Sequence, residues 1–349
     1  MPDLPAPLDP VALTLDLCRI DSTTGREADA SAFVVDLLRG LGFTVETQVV
    51  ADGDGGPRVN VIATTDAEPL VVLSTHLDTV PPFIAPTVEG EGDAAVLVGR
   101  GVSDAKGIAA AMIAAAARLV ASGERRIGLL FTVDEEAASA GARVANGHPV
   151  GARVRYLVNG EPTDGRLAAG TKGSLRVRLT ATGRAGHSAY PEAGHAATHD
   201  LVGVLHDLLA EQWPTDSLFG DTTVNVGTMT GGVAANVLAP SAEAVLQLRL
   251  ATPPGPVEAR IRAIAGTRCA VEVLSASDPL RLYVPPGWSD DAAVMRYTTD
   301  VPYLAAWGTP LLFGPGSILV AHTDRERIPA ADLRAAADAY VRLVGTLLG

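Results

Sequence analysis

The sequence predicts an α/β fold. A catalytic domain with a mainly parallel central sheet, flanked by helices, is interrupted by a smaller α+β (ferredoxin-like) lid. Three observations predict this. Residues 70–74 and 127–133 are continuous apolar runs, the pattern of strands covered on both faces, and 154–158 reads as another short buried strand. Helical stretches alternate with them, which favours parallel pairing through crossovers. After Gly170-Thr171-Lys172-Gly173 the strands become half-exposed and alternating. The expected domains are therefore 1–171 with 277–349, and an insert over 172–276. A chain of 349 residues, 47% hydrophobic, has material for roughly two such domains.

In chain order, Asp9-Pro10 supplies an N-cap and first-turn proline for a helix reaching Ile20. A second helix spans 27–39 and stops at Gly40 and Gly42. Strands at 43–50 and 59–64 flank Asp52-Gly53-Asp54-Gly55-Gly56-Pro57. That segment lacks the downstream glutamate of a calcium loop and reads as a hairpin turn. An alanine-rich helix covers 105–121. The insert reads as a strand at 174–181, a helix at 196–209, strands at 223–228 and 242–250, and a helix at 256–265. The first domain then resumes with a helix at 290–298, a strand at 310–313 and a terminal helix from about residue 330.

Composition narrows the function. Lys+Arg 27 against Asp+Glu 40 gives a net charge of -13, which argues against nucleic acid as a partner. Anionic substrates would need local arginines. Cys18 and Cys269 read as free thiols in a reducing compartment. Met1-Pro2-Asp3-Leu4-Pro5 lacks the basic region and apolar run of a signal peptide, and residues 108–120 read as a buried helix rather than a membrane span. The expectation is a soluble cytoplasmic protein without membrane contact.

The chemistry lies in short motifs: Ser74-Thr75-His76-Leu77-Asp78, Gly101-Val102-Ser103-Asp104-Ala105-Lys106-Gly107, Asp134-Glu135-Glu136, Gly160-Glu161-Pro162, and Gly314-Pro315-Gly316 leading to Ala321-His322. Three of them follow apolar strands, at the strand ends where ligands gather in such sheets. Carboxylate oxygens and imidazole nitrogens are the donors a pair of zinc-like ions takes. Asp104 can bridge two ions with its two oxygens, and Asp78 can orient His76. In Asp134-Glu135-Glu136 one acid can bind metal while its neighbour takes a proton from water. Glu161 and His322 would give each ion a histidine, a terminal carboxylate and a share of Asp104.

On these motifs the chain resembles the dinuclear zinc amidohydrolases, the family of acetylornithine deacetylase, succinyl-diaminopimelate desuccinylase, aminoacylase and glutamate carboxypeptidase. The match covers nearly the whole length in the family's motif order. The resemblance implies His76, Asp104, Glu136, Glu161 and His322 as ligands of two divalent metal ions, zinc first, with cobalt or manganese as alternatives. It implies Asp78 as support for His76, Glu135 as general base, and a homodimer formed by the insert. Gly183-Arg184-Ala185-Gly186-His187-Ser188 is similar to the family's signature in that domain, which implies that His187 reaches the partner subunit's site and helps hold the scissile carbonyl. Gly231-Gly232-Val233-Ala234-Ala235-Asn236-Val237 and Arg249 resemble the positions that grip a substrate carboxylate, and a guanidinium fork suits two oxygens. Two departures stand out. Gln247 replaces the acid commonly found two residues before the arginine, and Thr323-Asp324-Arg325-Glu326 shifts the usual acidic pair.

The implied activity is hydrolysis of an N-acyl amino acid by activated water. A dipeptidase or carboxypeptidase with the same site is the alternative, with glutamate at 161 leaning towards deacylases and carboxypeptidases. A different class is an inactive metal-binding homologue acting as a scaffold, against which the intact Glu135 counts. His195 and His199 have i, i+4 spacing but no zincin glutamate, and read as a helix face. Lys172 reads as a hinge residue. There is no Gly-x-Ser-x-Gly elbow, which argues against a serine hydrolase.

Overall fold

A computed structural model describes residues 8–289 and 291–349, apart from the side chain of Asp93. It divides into two compact units, residues 8–169 with 282–293 and 299–349, and residues 170–281 with 294–298.

The first unit is built on a six-stranded sheet. Its order is Thr44–Gly53, Gly56–Thr64, Ile127–Thr132, Val71–His76, Tyr156–Asn159, Thr309–Leu312. The last four strands are mutually parallel, and the hairpin Thr44–Gly53/Gly56–Thr64 adds an antiparallel edge. The apolar runs are the central strands: every residue of Val71–His76 and Ile127–Thr132 is buried. Helices Pro10–Cys18, Ala28–Gly40, Lys106–Ala121 and Ala330–Leu348 complete the core. Alanines of Lys106–Ala121 pack flush because they bury no bulk and cost no side-chain entropy.

Two contacts fix the helices that frame the motifs. Lys106 is buried, and its Nζ donates to the carbonyls of Leu17 (3.2 Å) and Ile20 (2.7 Å), capping the end of the first helix with a cation. The hydroxyl of Tyr340 donates to the carbonyl of Phe313 at 2.8 Å, pinning the end of strand Thr309–Leu312 to the terminal helix.

The second unit holds a four-stranded antiparallel sheet in the order Thr223–Gly231, Ser241–Leu250, Gly173–Thr182, Ala270–Ser277. Helices Ala197–Ala210 and Pro254–Ala265 cover one face. Alternating burial along Ser241–Leu250 shows why the pattern reads as a half-exposed sheet.

Two expectations need correction. Of the helix expected over 290–298, Asp290 lies outside the described residues, and among the rest no helix forms: Ala293–Met295 is a strand. Val294, Tyr297, Thr298 and Thr299 are β-branched or aromatic and favour extended backbone. His195 does not share a helix face with His199, because the helix begins only at Ala197. His195 pairs with Asp200 instead, Nε2 to Oδ2 at 2.6 Å. No described helix is long and apolar enough to cross a membrane.

Candidate metal centre

The four parallel strands deliver the motifs to one end of the sheet. His76 closes its strand, Glu135 stands three residues past Thr132, Glu161 two past Asn159, and the Gly314 loop follows Leu312. The register makes this convergence necessary, since His76 lies beside Thr132 and Ser74 beside Asn159, which in turn lies beside Leu312. Gly314 permits the last loop to close in: a Cβ there would stand 2.5 Å from the Glu161 carbonyl.

Two clusters result. Ligand atoms of His76, Asp104 and Glu161 all lie within 4.8 Å of one another, and so do those of Asp104, Glu136 and His322. Asp104 belongs to both. Its Oδ1 faces His76 Nε2 at 3.3 Å and its Oδ2 faces His322 Nε2 at 3.4 Å, while His322 Nε2 also meets Glu136 Oε1 at 3.0 Å. One carboxylate thus presents one oxygen to each histidine. The five residues proposed from the sequence as ligands are brought together.

The donor set suits divalent cations. Among the described residues, no lysine or arginine is ion-paired with Asp104, Glu135, Glu136 or Glu161. The buried Oε1 of Glu161 has no hydrogen-bond partner. A buried carboxylate oxygen without a donor is costly unless a cation meets it. His76, Asp104 and Glu161 would hold one ion, and Asp104, Glu136 and His322 the other.

Asp78 does more than the sequence suggests. His76 Nδ1 lies 2.9 Å from the Asp78 carbonyl oxygen and 3.5 Å from its carboxylate, so the main chain makes the closer contact with the ring. The carboxylate instead accepts the amides of Glu135 (3.1 Å) and Glu136 (3.2 Å) and the hydroxyl of Thr24 (2.9 Å). It positions Glu135, the candidate base, and Glu136, a candidate ligand, together. Asp134 is held in a left-handed conformation, φ 70°, which non-glycine residues seldom adopt. Arg58 secures it, donating to Asp134 Oδ1 at 2.7 Å while forking onto Glu27. Thr24, Glu27 and Arg58 carry no motif, and only their three-dimensional neighbours reveal their part.

Charge crowding sets the protonation of the metal-free site. Hydrogen bonds to Asp104 and then Glu136 push His322 up to about 10. His76 is raised well above its usual value because hydrogen bonds to Asp104 and Asp78 outweigh desolvation. Glu135 is raised by desolvation first and then by the charge of Glu161. A metal needs neutral imidazole, so uptake at neutral pH is expected to expel more than one proton, and affinity to rise with pH up to about 10. Calorimetric zinc titration in buffers of different ionisation enthalpy measures this. A buffer-independent heat would contradict it.

Asp300 is a buried carboxyl that no motif announced. Burial pushes it up to about 6 despite hydrogen bonds from Thr132 (2.7 Å) and Ser139. The unfolded chain loses this proton near 3.8, so folding stability is full below that value and declines as pH rises through about 6. Asp300→Asn removes the cost. The metal-free variant is expected to be more stable than wild type at pH 8, by on the order of 3 kcal/mol, and to show little difference at pH 4. Equal shifts at both values would contradict the assignment.

His187, Asn236 and Arg249 belong to the second unit. The exposed His187 and Asn236 sit on adjoining loops, joined by a bridge between His187 and Val237 and by the Ser188 amide donating to the Asn236 carbonyl at 3.0 Å. Arg249 is half-buried on strand Ser241–Leu250.

A profile of peptidase family M20/M25/M40 matches residues 72–346. A protein of Aspergillus terreus named as a probable carboxypeptidase is 38% identical over 364 residues, covering 94% of this chain and 84% of that protein. Among solved structures, the aminopeptidase PepT of Bacillus cereus superposes with a TM-score of 0.78 at 18% identity, covering 98% of both chains. A Bacillus subtilis protein described as a dinuclear metal binding peptidase of this family superposes at 0.71 with 13% identity, covering 97% of this chain and 98% of that one. The two structural likenesses speak for the fold, and the profile and the sequence relative for the lineage. With a profile that spans most of its length and all the motif-bearing strands, the chain belongs to peptidase family M20/M25/M40 and is a metallo-hydrolase of amide bonds.

Proposed function

We propose that this protein is a two-metal carboxypeptidase or dipeptidase, releasing an amino acid with a free α-carboxylate from a short peptide. The observation that carries the reading is Asp104, whose two oxygens face two histidines at 3.3 and 3.4 Å within two three-ligand clusters. His76, Asp104, Glu161, Glu136 and His322 would hold two divalent ions, zinc first, which when bound would supply Lewis acidity and a water of pKa about 7. Glu135 takes the proton from the attacking water and returns it to the departing amine. Asp78 holds its amide, so the base is aimed before substrate arrives. Glu135's raised proton affinity in the metal-free site suits a group that must accept and release a proton.

Arg249 supports recognition of the carboxylate. Its guanidinium has no hydrogen bond or ion pair among the described residues, and Gln247, where an acid is common, is neutral and engaged with Arg176 (3.1 Å) and Ser174 (2.8 Å). A half-buried guanidinium without an acid is free to take a carboxylate from outside. His187 would steady the scissile carbonyl, from the partner subunit if the chain is a homodimer. The edge strand Thr223–Gly231, with Met229 exposed, is compatible with pairing of two copies. Cys18 and Cys269 are both free and buried, which suits a reducing cytoplasm.

An N-acyl amino acid, the first choice from the sequence, differs only on the acyl side of the same bond. The carboxypeptidase name of the Aspergillus relative moves the peptide reading ahead. The test is hydrolysis of N-acetyl and N-succinyl amino acids, dipeptides and longer peptides by metal-free protein and after addition of zinc or cobalt. Metal-restored release of the C-terminal residue from peptides is the expected result. Turnover of acyl amino acids alone would favour the deacylase, and turnover that survives chelation would overturn both.

A further inference from the structure

We infer that Glu326, with Arg100, is a positioning residue that ties the two loops bearing Asp104 and His322 into one unit and thereby sets the spacing of the metal centre. The inference rests on the two-metal reading of that centre.

Glu326 is 1% exposed and Arg100 3%. One oxygen of Glu326, Oε1, accepts three consecutive-loop amides: Gly101 at 2.8 Å, Ser103 at 3.1 Å and Asp104 itself at 3.1 Å. The other, Oε2, meets Arg100 Nη1 at 2.7 Å. The same Nη1 donates to the carbonyl of Thr323, the residue after His322, at 3.2 Å, and Arg100 Nε reaches the Pro82 carbonyl at 3.4 Å. The Gly99 amide donates to the Glu326 carbonyl at 3.0 Å. Asp104 and His322 are 218 residues apart in the chain by their numbers. This one ion pair spans the distance with six hydrogen bonds.

Stability alone is a poor reason for the arrangement. Removing a carboxylate and a guanidinium from water costs as much as their attraction returns, and apolar residues of similar shape commonly serve a core as well. What apolar residues cannot do is receive three amides in a fixed geometry. Those amides set the path of the main chain into Asp104, the one carboxylate common to both clusters, and the Arg100 link to Thr323 sets the approach of His322, itself in a left-handed conformation with φ 63°. Groups behind metal ligands typically govern affinity by about 10–100-fold. Here the residue acts through main-chain amides rather than through a ligand side chain. The displaced acidic segment noted in the sequence, Thr323-Asp324-Arg325-Glu326, thus places its last acid inward.

The experiment titrates metal-free wild type, E326Q and the double variant R100M/E326L with zinc against a competing chelator, and melts each metal-free protein. Wild type is expected to take two zinc ions. E326Q turns an amide group towards Arg100 and is expected to bind zinc about 10–100-fold more weakly. R100M/E326L leaves the three buried amides without their acceptor and is expected to melt below wild type while remaining folded, and to show the weakened affinity. Wild-type affinity in a well-folded R100M/E326L would overturn the inference and leave the pair a packing device. Should E326Q or the double variant fail to fold, E326D and R100K keep the charges and shift the carboxylate or the fork; unchanged zinc affinity in both overturns the inference, and weakened affinity supports it. Failure of wild type itself to bind two ions would defeat the two-metal reading, and the inference with it, and is told apart from failure of the inference alone by the wild-type titration.

Discussion

Replacing Glu135 by glutamine is expected to lower kcat by about 10²–10⁴-fold while zinc uptake stays at the wild-type level. The prediction follows from a division of labour between two adjacent acids. Glu136 is in a ligand cluster with Asp104 and His322, and Glu135 is in neither cluster. Both amides rest on the carboxylate of Asp78, so the main chain that aims residue 135 does not depend on its side chain. Glutamine keeps the shape of glutamate and loses only its capacity to accept a proton. The loss should therefore fall on kcat, with KM little changed, as expected for a group whose role is confined to the transition state. Glu136→Gln should behave differently, weakening one metal and with it the binding of substrate. Steady-state kinetics on both variants, with zinc content measured on the same samples, separates the two roles. An unchanged rate in Glu135→Gln would remove the proposed base.

Asp104→Ala is expected to abolish both metal sites and lower activity by roughly 10³-fold or more, whereas Glu161→Ala and Glu136→Ala should each weaken one. Only Asp104 joins the two clusters, with one oxygen towards each histidine. The histidines carry most of the positive charge near it in the metal-free fold, and they hold its carboxyl well below the ordinary range despite desolvation. Alanine at 104 leaves His76 with Glu161 and His322 with Glu136, each pair too few to bind tightly. The loss of Lewis acidity alone is worth several kcal/mol in the transition state. Zinc counted per chain after dialysis distinguishes the variants. Retention of one tightly bound ion in Asp104→Ala would show that the clusters are independent.

Much of this arrangement can be read from the chain. The central strands are legible because burial on both faces forces continuous apolar runs, as at Val71–His76 and Ile127–Thr132. Three of the candidate ligands are legible because His76, Glu136 and Glu161 follow such strands closely, which fixes the end of the sheet where they must lie, whereas Asp104 and His322 are marked only by their glycine-bearing loops. Supporting contacts are hidden for a related reason. Thr24 meets Asp78 across 54 residues of chain, Arg58 meets Asp134 across 76, Asp300 meets Thr132 across 168 and Glu326 meets Asp104 across 222, while Glu27 acts through Arg58, 31 residues away. Nothing local distinguishes such an acid from a solvated one. The helix expected over 290–298 failed for the opposite reason: a short stretch containing Ala292, Ala293 and Met295 suggests a helix, and pairing with a neighbouring strand decides otherwise. For Asp78, spacing shows that it can reach His76 but not that two amides three strands' worth of chain away need its oxygens.

Two ions sharing Asp104 are the central feature of the proposed site. Anomalous diffraction from crystals of the zinc-loaded protein, collected on both sides of the zinc absorption edge, tests this most directly. The expected result is two peaks, one within coordination distance of His76, Asp104 and Glu161, the other of Asp104, Glu136 and His322. A single peak, or two peaks of which only one touches Asp104, would contradict it.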